Sequence, residues 1–168
     1  MKGVNNMINN GFTSYSGKGE IKDILQFRAK ENKDLLEVIK EAILENEIRS
    51  AIIISGIGAL SKAVCRNLKL FPREYPVRDK DRIFYQIERP LELLALSGWI
   101  ARKPNGEPEV HAHFTVSTIE GEEVQCFGGH LTKGTITGIK VVVALVILDK
   151  DNFYADFDKN TKSIDLFC

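Results

Sequence analysis

The sequence predicts an α+β fold, with a mainly antiparallel β-sheet and one principal amphipathic helix. Most segments are short β-branched runs or alternate apolar and polar residues, and only one segment has apolar residues at helical spacing. Tight-turn signals at Asn105-Gly106 and Glu120-Gly121 join successive strands. The chain has 168 residues, of which 43% are hydrophobic, so we expect a sizeable core in a single domain over residues 19–168.

The N-terminal part of the chain contains the predicted helix. Residues 1–18 are rich in Asn, Gly and Ser and are predicted to form a flexible tail. A strand is predicted for residues 23–30. The helix is predicted for residues 35–46, where Asp34 and Glu37 have the spacing of a capping box.

Two short strands are predicted on either side of a Gly-Ile-Gly sequence. They cover residues 50–54 and 62–67, with Gly56 and Gly58 between them. A phosphate-binding loop would need a third glycine, where the chain has Ser61, and a helix that the following residues do not predict. We therefore interpret the glycines as serving a turn or close packing.

The remaining segments are predicted to be strands and loops. In order they are an exposed charged loop at 68–82, a strand start at 83–87, a buried central strand at 91–101, a turn at 104–107, strands at 135–137 and 140–148, and a terminal hairpin of 153–157 with 163–167. Because one helix cannot cover such a sheet, self-association is expected.

All three histidines, His111, His113 and His130, lie within residues 109–131. Residues 110–119 alternate strictly, which places His111 and His113 on one face of a strand. A two-residue turn at Glu120-Gly121 would pair His111 with His130, and directly opposed residues share a face. The pattern therefore predicts a cluster of three imidazoles.

Three imidazoles with an open fourth position suit Zn²⁺ or another transition metal. Two other interpretations stay open. The histidines would be ligand-free on a solvated strand face, or Gly128-Gly129 would form a bulge and turn His130 away. The predicted registers also place Gly98 and Gly128 on either side of His113. These glycines would either leave room for an ion, a water or a ligand, or mark bends in their strands.

Further reactive side chains have no assigned role. Cys126 is predicted opposite Thr115 on the histidine face, as a fourth ligand or as a small buried thiol. Glu92 and Glu109 are candidate general acids or bases that are equally explained as solvated glutamates, so the catalytic residues are unknown. Cys65, Cys126 and Cys168 are an odd number without paired spacing, which is typical of reduced thiols in the cytoplasm.

The charge balance argues against binding to polyanions by net charge, since 23 basic residues equal 23 acidic ones. DNA binding would require a local basic stripe, for which the candidates are Arg66, Lys69, Arg73, Arg78, Lys80 and Arg82. The N-terminus has no apolar core of a signal peptide, and the longest apolar run, residues 141–148, is too short to span a bilayer. We therefore expect a cytoplasmic protein without a membrane segment.

Five sequence blocks together resemble the plants-and-prokaryotes conserved (PPC) domain. They are KDLL at 33–36, IRSAIIISGIGALSKA at 48–63, PLELLALSGWIA at 90–101, HAHFTVS at 111–117 and GGHLTKGTI at 128–136. The resemblance covers residues 23–167 in the order of the family. The charged loop at 68–82 is longer than usual for the family, and residues 1–18 have no counterpart.

The resemblance implies a homotrimer and, as in prokaryotic stand-alone members, a metal site on His111, His113 and His130. Prokaryotic members are often described as DNA-binding because plant members carry a DNA-binding AT-hook, which this sequence lacks. The implied fold is similar to that of acetolactate decarboxylases and of a zinc-dependent ester hydrolase group. The expected function is thus a trimeric metal-binding domain, with zinc as the expected ion, that takes a small anionic or carbonyl ligand. The alternatives are a DNA-binding or regulatory module and a purely structural trimer in which the histidines pack at the subunit interface.

Overall fold

The computed structural model describes residues 17–149 and 153–168. The elements are β1 (Glu20–Ala29), α1 (Leu35–Glu45), β2 (Ser50–Leu68), a short 3-10 turn (Asp79–Asp81), β3 (Arg82–Arg102), β4 (Pro108–Glu120), β5 (Glu123–Leu131), β6 (Ile136–Asp149), β7 (Tyr154–Asp158) and β8 (Ser163–Phe167). A flexible tail is predicted for residues 1–18, and residues 1–16 of it lie outside the described residues.

The eight strands form one sheet in the order β1-β6-β2-β5-β4-β3-β7-β8. Every pairing is antiparallel except a single parallel bridge between β3 and β7. Strand β2 also pairs with β3, so β2, β5, β4 and β3 form a closed ring. The predicted fold class, α+β with a mainly antiparallel sheet, is confirmed.

The helix begins where it is predicted and ends one residue earlier, at Glu45. One carboxylate oxygen of Asp34 accepts hydrogen bonds from the backbone N–H groups of Leu36 and Glu37, at 3.1 and 3.3 Å. Its other oxygen accepts from the N–H of Gly134, at 2.6 Å. Asp34 therefore caps the helix, as expected, and also ties it to the segment before β6.

The prediction of two strands around Gly56 and Gly58 is wrong, because β2 is continuous from Ser50 to Leu68. A Cβ atom at Gly56 would lie 2.5 Å from Cβ of Leu96, and one at Gly58 would overlap the carbonyl oxygen of Lys140. Irregularities in the β2–β6 pairing absorb the local change of direction. The glycines thus serve close packing, and the turn is absent.

Strand β3 also merges two predicted segments, since it runs from Arg82 to Arg102 without interruption. The prediction of a fully buried central strand is wrong as well. Leu93 and Leu96 are buried, whereas Leu94 is 50% exposed on the opposite face. The two predicted segments at 135–137 and 140–148 likewise form one strand, β6, while the charged loop and the terminal hairpin are confirmed.

A single hydrophobic core lies between α1 and the sheet. Its largest fully buried side chains include Leu35, Ile39 and Ile43 of the helix, and Ile53, Leu60, Leu96, Ile100, Val116, Leu131 and Leu145 of the strands. Burial of each such side chain contributes about 1.5–3 kcal/mol. Among the described residues, no helix is long and apolar enough to cross a membrane.

Candidate metal centre

Strand β4 separates its histidines from the core. Val110, Ala112 and Phe114 are buried, whereas His111 is half-buried and His113 is exposed on the other face. The alternation that the sequence predicts is therefore present. It directs both imidazoles away from the apolar core.

His130 of β5 completes a cluster of three imidazoles. The ring centroids of His111 and His113 lie 5.4 Å apart, and that of His130 lies 4.8 Å from His111 and 5.2 Å from His113. One ring nitrogen from each residue can be chosen so that all three lie within 4.8 Å of one another. The rings thus converge on one point.

The predicted pairing of His111 with His130 is wrong, because His130 lies opposite His113. The tight turn consists of Gly121 and Glu122, with Glu120 paired to Glu123, and Gly121 has the positive φ of 64° that the turn requires. This moves the partner of His130 by two residues along β4. Because a strand repeats every two residues, the cluster stays on the same face.

The predicted glycine neighbours of His113 are also wrong. A five-residue loop replaces the two-residue turn at Asn105-Gly106, and Ser97, not Gly98, lies opposite His113. Gly98 lies opposite Ala112, where a Cβ atom would overlap the carbonyl oxygen of His111. Gly128 lies opposite Thr115 and forms no bulge. These glycines permit close strand packing and leave no room for a ligand.

Trp99, which is predicted only as part of a buried strand, forms a wall of the cluster. It lies opposite His111, and the two rings stack with centroids 5.3 Å apart and planes inclined by 28°. The β3–β4 hairpin indicates this contact in the sequence, because the length of its loop determines which residues lie opposite one another. The indole therefore restricts the orientation of the His111 ring.

Asn67 and Tyr85 hold β5 in place, and no sequence pattern pointed to either. The Asn67 side-chain amide and the Tyr85 hydroxyl both donate to the carbonyl oxygen of Gly128, at 2.9 and 3.2 Å. The Asn67 side chain also packs over Gly129, where a Cβ atom would overlap its Oδ1. These contacts fix the backbone one and two residues before His130.

Burial and nearby positive charge favour the neutral forms of His111 and His130. Burial, followed by the Arg66 guanidinium, lowers the pKa of His130 to about 3. Burial, followed by the charge of His113, lowers the pKa of His111. Neutral imidazoles have a free lone pair on one nitrogen at neutral pH, which is the form that binds metal ions.

The cluster opens into a cleft of about 790 Å³, which is within the usual size range of small-molecule sites. Strands β4 and β5 contribute His111 and His130, helix α1 contributes Leu36, Lys40 and Leu44, and β8 contributes Ser163 and Ile164. Arg66 and Arg82 also line it. The cleft therefore combines the imidazoles with charged side chains.

The other sequence candidates do not join the cluster. Cys126 is exposed and lies opposite Ser117, not Thr115, so it is neither a buried thiol nor a member of the histidine cluster. Glu92 is exposed. Glu109 lines the cleft, where its carboxylate lies 3.8 Å from the Lys103 ammonium.

The donor set fits a transition-metal ion. Zinc bound to three imidazoles at about 2.0–2.1 Å in tetrahedral geometry places the nitrogens roughly 3.3 Å apart. The nitrogens lie within 4.8 Å of one another, so small rotations of the rings suffice to close the site. Nitrogen ligands suit zinc, iron, nickel and copper better than the hard ions magnesium and calcium.

Comparison with known proteins identifies related sequences and folds. A model of the Plants and Prokaryotes Conserved (PCC) domain matches residues 16–149. The chain is similar to a plant- and prokaryote-conserved protein of Pyrococcus horikoshii, with 26% identity, a TM-score of 0.71 and coverage of 89% of this chain and 94% of that one. It is also similar to a metal-containing protein of Archaeoglobus fulgidus, with 28% identity, a TM-score of 0.68 and coverage of 86% and 93%.

A more distant structure, from Bacteroides thetaiotaomicron, is that of a protein described as a candidate DNA-binding protein. It shares 18% identity and the fold, with a TM-score of 0.69 and coverage of 92% and 97%. Acetolactate decarboxylase from Bacillus subtilis subspecies spizizenii is also similar, at a TM-score of 0.49, 18% identity and coverage of 79% and 54%. No curated protein sequence matches the chain.

Proposed function

The chain belongs to the Plants and Prokaryotes Conserved domain family, and from this premise we propose that it is a homotrimeric metal-binding protein in which His111, His113 and His130 hold a zinc ion. The observation that carries the proposal is the convergence of the three imidazoles, with ring nitrogens within 4.8 Å of one another. The A. fulgidus relative supports it, since that protein is metal-containing.

The cleft beside the histidines supports a small anionic or carbonyl ligand. Three protein ligands leave a fourth position open on zinc. When bound, such an ion polarises a carbonyl oxygen and lowers the pKa of a water ligand to about 7. The chain itself supplies the Trp99 wall, which orients His111, and a charged cleft that would bind the rest of the ligand.

The homotrimer is supported by an exposed apolar face of the sheet. Ile52, Ile54 and Ile57 of β2 and Leu94 of β3 are between 45% and 56% exposed. Patches of this kind typically mark protein–protein contacts. A cytoplasmic location is supported by Cys65 and Cys126, which form no disulfide.

Metal analysis of protein purified without a histidine tag tests the metal site. We expect about one zinc ion per chain in the wild type, and loss of the ion in His111→Ala and His130→Ala. Thr115→Ala is the matched control, because Thr115 lies on the same face of β4 outside the cluster. Equal metal content in all four proteins, or none in the wild type, would favour histidines that serve only packing.

DNA binding is the second candidate function, and basic side chains of the loop before β3 favour it. Arg73, Arg78 and Lys80 line a second cleft, but Glu74 and Asp81 line it as well. A gel-shift series over salt concentration tests this function. A slope that reports several phosphates supports it, and no binding near physiological salt contradicts it.

A further inference from the structure

The end of the cleft next to the histidines contains two arginines that form no ion pair with any carboxylate of the described residues. Arg66 of β2 lies opposite His130 of β5 in the strand register. Directly opposed residues share a face, with Cβ atoms about 4.5–5.5 Å apart. Arg82 begins β3 and pairs with Leu68, two residues beyond Arg66, so it is the diagonal neighbour of Arg66 on that face. Both arginines line the cleft with His111 and His130.

The acidic side chains of the cleft are largely neutralised by lysines. Of the four glutamates that line it, three form ion pairs. Glu37 pairs with Lys40 at 3.3 Å, and Lys103 pairs with Glu107 at 2.9 Å and with Glu109 at 3.8 Å. These pairs lie on the helix, in the β3–β4 loop and at the start of β4.

Arg66 and Arg82 are both half-buried, and within residues 17–149 and 153–168 no carboxylate lies within 4.0 Å of either guanidinium. Burial and the charge of Arg82 lower the pKa of Arg66, and the carboxylates of Asp79 and Glu109 partly oppose this shift. Two adjacent guanidiniums that are partly removed from water and have no described carboxylate in ion-pair contact favour binding of an anion.

We propose that Arg66 and Arg82 form an oxyanion subsite, which takes the carboxylate or phosphate group of a ligand whose other end reaches the three histidines. The planar guanidinium matches these groups because it donates two parallel hydrogen bonds to their oxygens. The inference deepens the proposed function and rests on it for the identity of the cleft. It names the ligand class of that cleft as small oxyanions.

Calorimetric titration of the full chain with inorganic phosphate, and separately with acetate, tests the subsite. We expect Arg66→Gln and Arg82→Gln each to raise the Kd of the preferred anion about tenfold or more, because each removes charged hydrogen bonds. Arg66→Lys keeps the positive charge but cannot donate two parallel hydrogen bonds, so its Kd should rise less than that of Arg66→Gln. Arg89→Gln is the matched control, because Arg89 also lies on β3 but pairs with Glu120 outside the cleft.

His111→Ala separates this inference from the metal site. Anion binding that persists in His111→Ala and weakens in the arginine variants supports the subsite, whatever the metal content. Binding that is lost in His111→Ala and unchanged in both arginine variants overturns the subsite and leaves the metal site standing. Failure of the wild type to bind either anion also overturns it, and comparison of the two anions distinguishes a phosphate from a carboxylate ligand.

Discussion

Trp99 stacks on His111, with ring centroids 5.3 Å apart. Because the sequence contains one tryptophan, selectively excited tryptophan fluorescence reports on this ring alone. We expect Co²⁺, a paramagnetic ion that suits a histidine site, to quench the emission with a stoichiometry of about one ion per chain.

His130→Ala provides the control for this measurement, because it leaves the Trp99–His111 stack in place and removes one ligand. Its emission should be unaffected by the same Co²⁺ concentration. Equal quenching in the wild type and the variant would contradict metal binding at the cluster.

Stability should depend on pH through His130. Its folded pKa is about 3, held down mainly by burial, whereas an unfolded histidine has a pKa of about 6.5. Between these values the unfolded chain binds more protons, so the free energy of unfolding falls as the pH decreases. After a discount for partial exposure, we expect a loss of about 1 kcal/mol between pH 7 and pH 5.

Urea denaturation of the metal-free chain at the two pH values measures this loss. In His130→Gln, which has no titratable ring at that position, the loss should be smaller. An equal pH dependence in the two proteins would show that other groups cause it.

Gly129 and Asn67 should be coupled. A Cβ atom at Gly129 would overlap the Asn67 amide, which is held by its bond to the Gly128 carbonyl oxygen. Gly129→Ala should therefore destabilise the fold by about 1–3 kcal/mol and weaken metal binding through the displaced His130. In a double-mutant cycle, Asn67→Ala should relieve part of this cost, and strictly additive effects would contradict the contact.

The exposed face of β2 should control assembly. We expect the wild type to elute with roughly three times the chain mass of 18.9 kDa, and Ile54→Glu to elute as a monomer, because a charge at this position, 53% exposed in the single chain, would be buried in a trimer. Ile119→Glu is the control, since Ile119 is 68% exposed near the β4–β5 turn. Light scattering after gel filtration measures both masses.

Local patterns predicted the helix and the histidine face. Asp34 and Glu37 marked the helix start, and strict alternation around His111 and His113 defined the buried side of β4. Such patterns depend on residues close in the chain, where the periods of helix and strand are fixed. The exact register could not be predicted. A turn at Gly121-Glu122 instead of Glu120-Gly121 moves the partner of His130 by two residues along β4, and the alternation of β4 is the same for both turns.

Contacts between distant segments could not be predicted from the sequence. Arg66 reaches His130 only because β2 continues past Gly56 and Gly58 and pairs with β5 near its end. The glycines suggested a turn there, although the approach of Leu96 and Lys140 is what requires them. Asn67 and Tyr85 were missed for the same reason, since the pairing of β2 with β3 and β5 decides what they contact.

The closed ring of β2, β5, β4 and β3 has no free edge between the strands that bear the histidines. The positions of the three imidazoles are thus set by backbone pairing on every side, whereas α1 and β8 contribute cleft residues from outside the ring. Substitutions at Lys40, Leu44 or Ile164 can alter the shape and charge of the cleft while the ring stays intact. Ligand preference in this architecture can therefore diverge at low cost to folding, with the strands that bear the histidines as the invariant part.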